Sequence, residues 1–114
     1  MAAHAFDAAI ALQALGEGRF AGVTSPAYAN MVGPFGGVTA ATALNAVLQH
    51  PALLGEPVAL TVNFAAALAD GAFDVTARPA RTNRSTQHWV VEVVQAGETV
   101  LTATALTATR RDTW

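Results

Sequence analysis

The chain has 114 residues, of which 53% are hydrophobic and 12% charged, and its formal net charge is −2. This length suits one compact domain, residues 1–114, with enough apolar side chains for a core that needs no disulfide or metal. The sequence contains no cysteine, which excludes disulfides, zinc–thiolate sites, iron–sulfur clusters and a cysteine nucleophile. It also contains no lysine, which excludes Schiff-base chemistry and a Walker-type phosphate loop.

The apolar residues are spread along the chain rather than gathered into one span. Much of the apolar content is alanine, and no run reaches the roughly 18 uninterrupted apolar residues of a transmembrane helix. Residues 1–7 have no basic region and include an acid, so we expect no signal peptide, no membrane partner and a cytoplasmic location. The near-neutral charge also argues against a nucleic-acid partner, for which a basic stripe is typical.

The N-terminal part contains short apolar patterns separated by turn residues. Phe6, Ile10 and Ala14 recur at helical spacing, which predicts a helix over residues 6–15. Gly16-Glu17-Gly18 ends this helix, since glycine readily adopts the left-handed conformation that closes one. Three further short elements are predicted: a strand over residues 19–23, a turn at residues 25–26 and a second strand over residues 28–32.

The segment from Val38 to His50 is the clearest helix of the sequence. A cluster of glycine and proline residues, 33–37, precedes it, and Pro51 stops it. Small apolar residues cover most of its circumference, which is typical of a helix wrapped by other structure. A single polar stripe consists of Thr39, Thr42, Asn45 and Gln49. We expect this stripe to make helix-packing contacts, the alternatives being that it orients a water molecule or faces a partner subunit.

From Pro57 onward the hydrophobic period changes to two, which is typical of β-strands. Four long strands in an antiparallel meander are predicted, over residues 57–65, 73–78, 87–95 and 99–109. Asp70-Gly71 and Ala96-Gly97 supply turns between them. Pro79 has no N–H to donate to a ladder, so it predicts a sheet edge or a β-bulge.

One buried helix and a curved antiparallel sheet that wraps it make an α+β fold, which in outline is the hot-dog architecture. A cone-shaped α+β fold of the ketosteroid-isomerase type is the alternative. That fold places several helices before the sheet, whereas the helical content predicted here is lower. The sequence therefore predicts the hot-dog fold, with its sheet wrapped around one long central helix.

Four motifs carry a resemblance to a known family. They are Gly16-Glu17-Gly18-Arg19-Phe20, Phe35-Gly36-Gly37-Val38, Asn83-Arg84-Ser85-Thr86 and Val94-Gln95-Ala96-Gly97. In their order and spacing they resemble the N-terminal hot-dog domain of the acyl-CoA thioesterase II (TesB-like) family. The Phe-Gly-Gly opening of the central helix is the most specific of the four. The resemblance implies that the chain binds a fatty acyl thioester, with acyl-CoA hydrolysed to a free acid and coenzyme A.

The family's catalytic aspartate, glutamine and threonine lie in its C-terminal hot-dog domain, and this chain has length for one domain. Overlaying that domain on this chain puts the aspartate at Val38 or Thr39. The glutamine falls at Ala105 and the threonine at Pro57, so none of the three can be a carboxylate base. The loop Asn83-Arg84-Ser85 keeps the family's serine but moves its arginine. The resemblance thus implies a thioesterase or, alternatively, a non-catalytic structural or acyl-binding half whose catalytic residues lie on another segment or chain.

Thioester hydrolysis needs donors for the oxyanion that develops on the carbonyl. Gly36 and Gly37 stand where the buried helix begins, and there free backbone N–H groups and the positive end of the helix dipole favour negative charge. The alternative is that two glycines merely let the chain turn tightly into the helix. Together with the family resemblance, these considerations predict a substrate-binding set of seven residues: Gly36, Gly37, Thr39, Asn83, Arg84, Ser85 and Thr86.

A base that would activate water is not identified by the sequence. Glu92 shares a strand with His88, so the two form an acid–imidazole pair or, alternatively, make solvent-facing contacts. His50 ends the central helix, where an imidazole suits the negative end of the dipole, and we interpret it as a cap. The histidines have no second ligand at helix or strand spacing, so we expect no metal and no other cofactor.

Arg78, Arg81 and Arg84 form a basic cluster along one strand and its turn. Arginine suits the phosphates of coenzyme A through its bidentate fork, but charges of this kind also protect a sheet edge from aggregation. The large apolar side chain of Trp89 is expected in the core.

A single hot-dog domain leaves a sheet edge exposed and an acyl tunnel incomplete. We therefore expect this chain to form a homodimer or to pair with a second hot-dog domain. The acyl chain is expected to run along the buried helix.

Overall fold

The computed structural model describes residues 10–24, 36–66, 68–69 and 71–109. Within these ranges the chain forms six strands and one helix: β1 (Gln13–Gly16), β2 (Arg19–Val23), α1 (Gly36–Leu48), β3 (Glu56–Phe64), β4 (Ala72–Thr82), β5 (Thr86–Gln95) and β6 (Glu98–Ala108). All six strands belong to one antiparallel sheet in the order β1-β2-β4-β5-β6-β3. The helix packs on one face of this sheet, so the predicted α+β arrangement is confirmed.

Alternation of apolar and polar residues builds the three central strands. In β5 the side chains of Trp89, Val91 and Val93 are buried, whereas His88 and Glu92 between them are exposed. The turn to β6 is formed by Ala96 and Gly97, which have φ angles of 52° and 78°. Two successive left-handed residues match the twist of the flanking strands. The hairpin predicted at this position is therefore confirmed.

The helix predicted over residues 6–15 is wrong where the structure describes it. Residues 13–16 form strand β1, which pairs with β2, and residues 6–9 lie outside the described ranges. The turn between the two strands has left-handed backbone at Gly16, Glu17 and Gly18, with φ angles of 94°, 55° and 75°. Three such residues reverse the chain into a hairpin, and backbone pairing with β2 then outweighs the helical preference of alanine and leucine.

The predicted meander of four strands is also wrong in one connection. Strands β4, β5 and β6 follow one another in the sheet, but β3 pairs with β6 rather than with β4. The physical reason is that β2 already occupies the other side of β4. The free edge of β6 accepts β3 instead. The turn at residues 25–26 and the strand over residues 28–32 lie outside the described ranges.

Pro79 lies at an irregularity of β4, where the pairing with β5 shifts register between Pro79 and Arg81. Strand β2 pairs with residues 72–76 of β4, so among the described strands the segment around Pro79 has a neighbour on one side alone. The missing N–H of proline is tolerated at both kinds of position. The bulge that the sequence predicts is present.

The core lies between α1 and the sheet. Ala43, Ala46 and Val47 have no exposed surface and belong to one hydrophobic cluster with side chains of β2, β4, β5 and β6. Trp89 is 1% exposed, and its Nε1 donates a hydrogen bond to Thr107 Oγ1 at 3.1 Å, which confirms it as a core residue. The opposite side of α1 is covered less completely, since Leu48 is 40% exposed. In the described part of the chain no helix has the length and apolar character to cross a membrane.

Substitution of Gly18 tests how closely the β1–β2 hairpin approaches the core. A Cβ at this position would collide with the carbonyl oxygen of Ala77 and would lie 2.8 Å from His50 Nε2. We expect Gly18→Ala to lower the free energy of unfolding by about 3 kcal/mol or more, from the left-handed backbone and the collision together. Urea unfolding followed by circular dichroism measures the loss.

Gly97→Ala is the matched control. Gly97 also has a left-handed backbone, with φ 78°, but no atom lies within 4 Å of its added Cβ. This variant should lose only about 1 kcal/mol. Equal losses in the two variants would contradict the close packing of Gly18 against Ala77 and His50.

Candidate functional site

Gly36 and Gly37 are the first two residues of α1. The first four N–H groups of an α-helix have no acceptor within the helix, and the helix dipole adds partial positive charge at this end. No acidic residue stands in the first turn, so no carboxylate of α1 competes for these donors. The residues immediately before them, 25–35, lie outside the described ranges. This helix end has the donors that an oxyanion requires.

The polar stripe of α1 makes packing contacts where its bonds are defined. Thr42 Oγ1 donates to the carbonyl oxygen of Val38 at 2.8 Å, one turn earlier. Asn45 Nδ2 donates to the carbonyl oxygen of Ile10 at 2.8 Å and so holds the segment before β1 against the helix. Thr39, a predicted substrate-binding residue, is buried in the first turn, and Gln49 is exposed. The interpretation of this stripe as helix-packing contacts is confirmed for Asn45, whereas the bond of Thr42 stays within α1.

The predicted loop from Asn83 to Thr86 connects β4 to β5 and is closed by its own hydrogen bonds. The backbone N–H of Asn83 donates to Thr86 O at 2.7 Å, and Asn83 Nδ2 donates to Thr86 Oγ1 at 3.0 Å. The N–H of Thr109 donates to Ser85 O at 2.9 Å, which ties the loop to the end of β6. Arg84 at the tip is exposed. The loop is a hydrogen-bonded hairpin end with an exposed arginine at its tip.

Gln87 connects this loop region to the C-terminal end of the helix. Its Oε1 accepts from the N–H of Leu54 at 2.8 Å, and its Nε2 donates to the carbonyl oxygen of Ala52 at 3.0 Å. Since α1 has 13 residues, it is about 20 Å long. Gly36 and Gly37 therefore stand at the far end of the helix from the loop. The structure does not bring these two parts of the predicted substrate-binding set together within one chain.

Sequence reasoning missed the roles of two glutamines, although their positions carried a signal. Gln87 has the same strand parity as Trp89, and it is 1% exposed. A polar residue on the inward face of a strand requires hydrogen-bond partners, which the chain after α1 supplies. Gln95 of the fourth motif bonds in the same manner to Ala69, through N–H···Oε1 and Nε2–H···O contacts of 2.8 Å each. Both side chains bind loop backbone to the sheet through hydrogen bonds.

No acid–imidazole pair exists on β5. His88 and Glu92 are both exposed on the same face of the strand, but four residues of a strand span about 13 Å. The alternative that they form a catalytic pair is therefore wrong, and the solvent-facing interpretation holds. The acidic residues within the described ranges are all exposed: Glu17, Glu56, Asp74, Glu92 and Glu98. None of these five has the buried position near a helix end that would suit a base at Gly36.

His50 has a structural role at the C-terminal side of α1. Its Nδ1 accepts from the N–H of Ala52 at 3.0 Å, and its ring meets Trp89 edge-on, with centroids 4.9 Å apart. The sequence predicts His50 as a cap at the negative end of the helix dipole. The bond that its side chain makes instead holds the turn that follows the helix. Among the described residues no group of three or more potential ligands is arranged to hold a metal ion.

Comparison with known proteins identifies the family. The model of the acyl-CoA thioesterase N-terminal domain matches residues 25–108. The chain belongs to this acyl-CoA thioesterase family. The match includes the helix that Gly36 and Gly37 begin, the loop of Asn83–Thr86 and the Gln95 hairpin. No curated protein sequence matches the chain.

Solved structures confirm the hot-dog fold of this thioesterase domain. A conserved protein of unknown function with hot-dog fold from Alicyclobacillus acidocaldarius is 53% identical over 99% of this chain and 42% of its own, with a TM-score of 0.93. Acyl-CoA thioesterase II TesB2 from Mycobacterium marinum is 19% identical over 96% of this chain and 40% of its own, with a TM-score of 0.79. A Bacillus halodurans protein solved with CoA is 20% identical over 90% and 75%, with a TM-score of 0.73. The thioesterase domain thus spans about two fifths of the length of the first two proteins.

Proposed function

We propose that this chain is the half of an acyl-CoA thioesterase that binds the fatty acyl thioester and lacks its own base. The observation that carries the proposal is the position of Gly36 and Gly37 as the first residues of α1, in a turn without acids. Their N–H groups would donate to the thioester carbonyl oxygen, and these donors strengthen as the oxyanion forms. Family membership supports this assignment, because the matched region begins before these glycines.

Hydrolysis also requires a base to remove a proton from the attacking water. All five described carboxylates are exposed, and four of them stand on strands of the sheet. We infer that the base comes from a second hot-dog unit, which makes this chain half of a catalytic unit. The alternative is a thioesterase in its own right, with a base among the residues outside the described ranges.

The remaining members of the substrate-binding set are assigned by chemistry. Thr39 stands in the first turn of α1, beside the proposed carbonyl site. The exposed Arg84 suits a phosphate of coenzyme A, held in place by the hydrogen-bonded loop of Asn83, Ser85 and Thr86. Buried alanine and valine side chains lie between α1 and the sheet. We place the acyl chain along the helix, on its half-covered side near Leu48, which is 40% exposed.

The second unit would add to the sheet at β3, the edge strand after α1. Along the nine residues of β3 only Glu56 is charged, and Val58 and Phe64 are 56% and 59% exposed. Natural proteins usually shorten, bend or charge such an edge. The opposite edge, β1, has four residues and an irregular register, so it offers little to pair with.

A cytoplasmic location remains a prediction of the sequence.

A second copy of this chain can also add at β3, which then pairs with itself across a two-fold axis, and such a homodimer would bind the thioester without supplying the base. A register centred on Thr61 places Val58 opposite Phe64 and Leu60 opposite Val62. Apolar cross-strand pairs of this kind stabilise a sheet. Leu60 and Val62 are already half-buried against the core, so the new pairs would extend it.

If this chain binds the thioester but has no catalytic base, the 114-residue chain alone should bind substrate without hydrolysing it. We expect it to bind an acyl-CoA analogue in which a methylene replaces the thioester sulfur and the carbonyl is kept, and to release no thiol from acyl-CoA above the uncatalysed rate. Isothermal titration measures binding, and a thiol-trapping dye measures release. Turnover by the isolated chain that is lost in Glu92→Gln would contradict the proposal and restore a complete site within this chain. Turnover retained in Glu92→Gln would favour the alternative base outside the described residues.

The self-pairing register predicts a specific cross-link, which the natural absence of cysteine makes easy to read. In a Thr61→Cys variant the two copies of residue 61 face each other on the axis, at a Cα separation compatible with a disulfide. We expect a covalent dimer on mild oxidation, seen by non-reducing electrophoresis.

Asn63→Cys is the control for this cross-link. In the same register Asn63 faces Ala59 of the other copy, so two cysteines at residue 63 stay apart and the variant should remain a single chain on the gel. Light scattering that shows a stable monomer of the unmodified chain at micromolar concentration would contradict self-pairing.

A further inference from the structure

A concave surface lies on the outer face of the sheet, the face turned away from α1. It has a volume of about 310 Å³, and nine residues from four strands line it: Ala59, Thr61, Ala80, His88, Trp89, Val90, Thr104, Ala105 and Leu106. Small-molecule sites enclose roughly 300–1,000 Å³, so the volume stands at their lower end. The sheet separates this concavity from the helix, and it is therefore distinct from the proposed thioester site.

Local irregularities of two strands shape the concavity. The register of β3 shifts between Pro57 and Ala59, and that of β4 shifts between Pro79 and Arg81. Both bulges stand at the level of the concavity, and both place an alanine on its wall, Ala59 and Ala80. Bulges bend strands and re-aim side chains, often beside binding sites. On its floor, Val90 and Leu106 are half-buried although they lie on the outer face.

Positive charge borders one side of this apolar floor. Arg81 pairs in register with His88, and Arg78 pairs with Val90, which places both arginines beside lining residues. None of the nine lining residues is acidic. Glu92, on the same face, stands two residues beyond Val90 and does not line the concavity. The surface therefore combines an apolar floor with a cationic rim.

The side chain of Arg81 is held in place before any ligand arrives. Its Nε donates to Asn83 Oδ1 at 2.9 Å, and Asn83 is fixed in turn by its bonds to Thr86. This bond leaves the two terminal amino groups of the guanidinium for a ligand. An arginine ordered in this manner loses less side-chain entropy on binding a carboxylate in bidentate geometry. Asn83, which sequence analysis assigned to substrate binding, thus acts as a positioning residue for Arg81.

We propose that this concavity is a binding site for a small amphipathic carboxylate, with the carboxylate on Arg81 and a short hydrocarbon body over Val90 and Leu106. The imidazole of His88, which pairs in register with Arg81, lies at hand for the carboxylate oxygens, and Thr104 and Thr61 line the concavity one and two strands further on. A short fatty acid has this chemistry. The proposal concerns the outer face alone and does not depend on thioester hydrolysis.

Titration of the isotope-labelled chain with octanoate tests the proposal by nuclear magnetic resonance. We expect backbone amide signals of Thr61, His88 and Leu106 to shift with saturation, whereas octanol and inorganic phosphate at equal concentrations leave them unchanged. Arg81→Gln should weaken octanoate binding about tenfold. Arg19→Gln is the matched control, since Arg19 is exposed and pairs with Thr76, away from the concavity, and it should bind as the unmodified chain does.

Three outcomes would overturn the proposal. Equal binding of octanol would remove the role of the carboxylate, and saturable binding of inorganic phosphate with no octanoate shifts would assign a different anion. An equal loss of octanoate affinity in Arg81→Gln and Arg19→Gln would mean that binding depends on the net charge of the chain and not on Arg81. Because Arg81 is exposed, its substitution is compatible with folding, which the unchanged dispersion of the remaining signals verifies.

Discussion

The close contact between α1 and the concave face of the sheet is the constraint on which the rest of the structure depends. Ala43 and Ala46 let the helix axis approach the strands, and Val47 and Trp89 fill the space that remains. This contact holds α1, which begins at Gly36, against the sheet.

The packing of α1 bears on the candidate site. The N–H groups at Gly36 and Gly37 are presented by a helix that the core holds against the sheet, which suits a preorganised oxyanion site. The apolar edge formed by Val58 and Phe64 stands open in the single chain. An incomplete acyl site and exposed carboxylates together favour a thioesterase unit assembled from two hot-dog units. The cationic concavity on the outer face includes Ala59 and Thr61 of β3, the edge strand at which the second unit would add.

Much of the fold was predictable from the local pattern of apolar and polar residues. The errors of that prediction have a common cause. Alternation identified β4, β5 and β6, and the breaker cluster located the start of α1 within two residues. The partner of β3 was not predictable, because alternation specifies which face is buried and says nothing about which neighbouring strand forms the hydrogen bonds.

In the candidate site, the glycine pair was visible in the sequence. The distance between His88 and Glu92 followed from strand geometry, but the tie between Gln87 and Leu54 depends on how the chain returns after the helix.

The most direct test of the central claim uses an acyl-CoA analogue in which a methylene replaces the thioester sulfur and the carbonyl is retained. Bound to the 114-residue chain, its carbonyl oxygen should accept from the amides of Gly36 and Gly37. We expect the proton resonances of these two amides to move downfield on saturation, as those of hydrogen-bonded amides do. A saturated complex in which both resonances stay unchanged would contradict it.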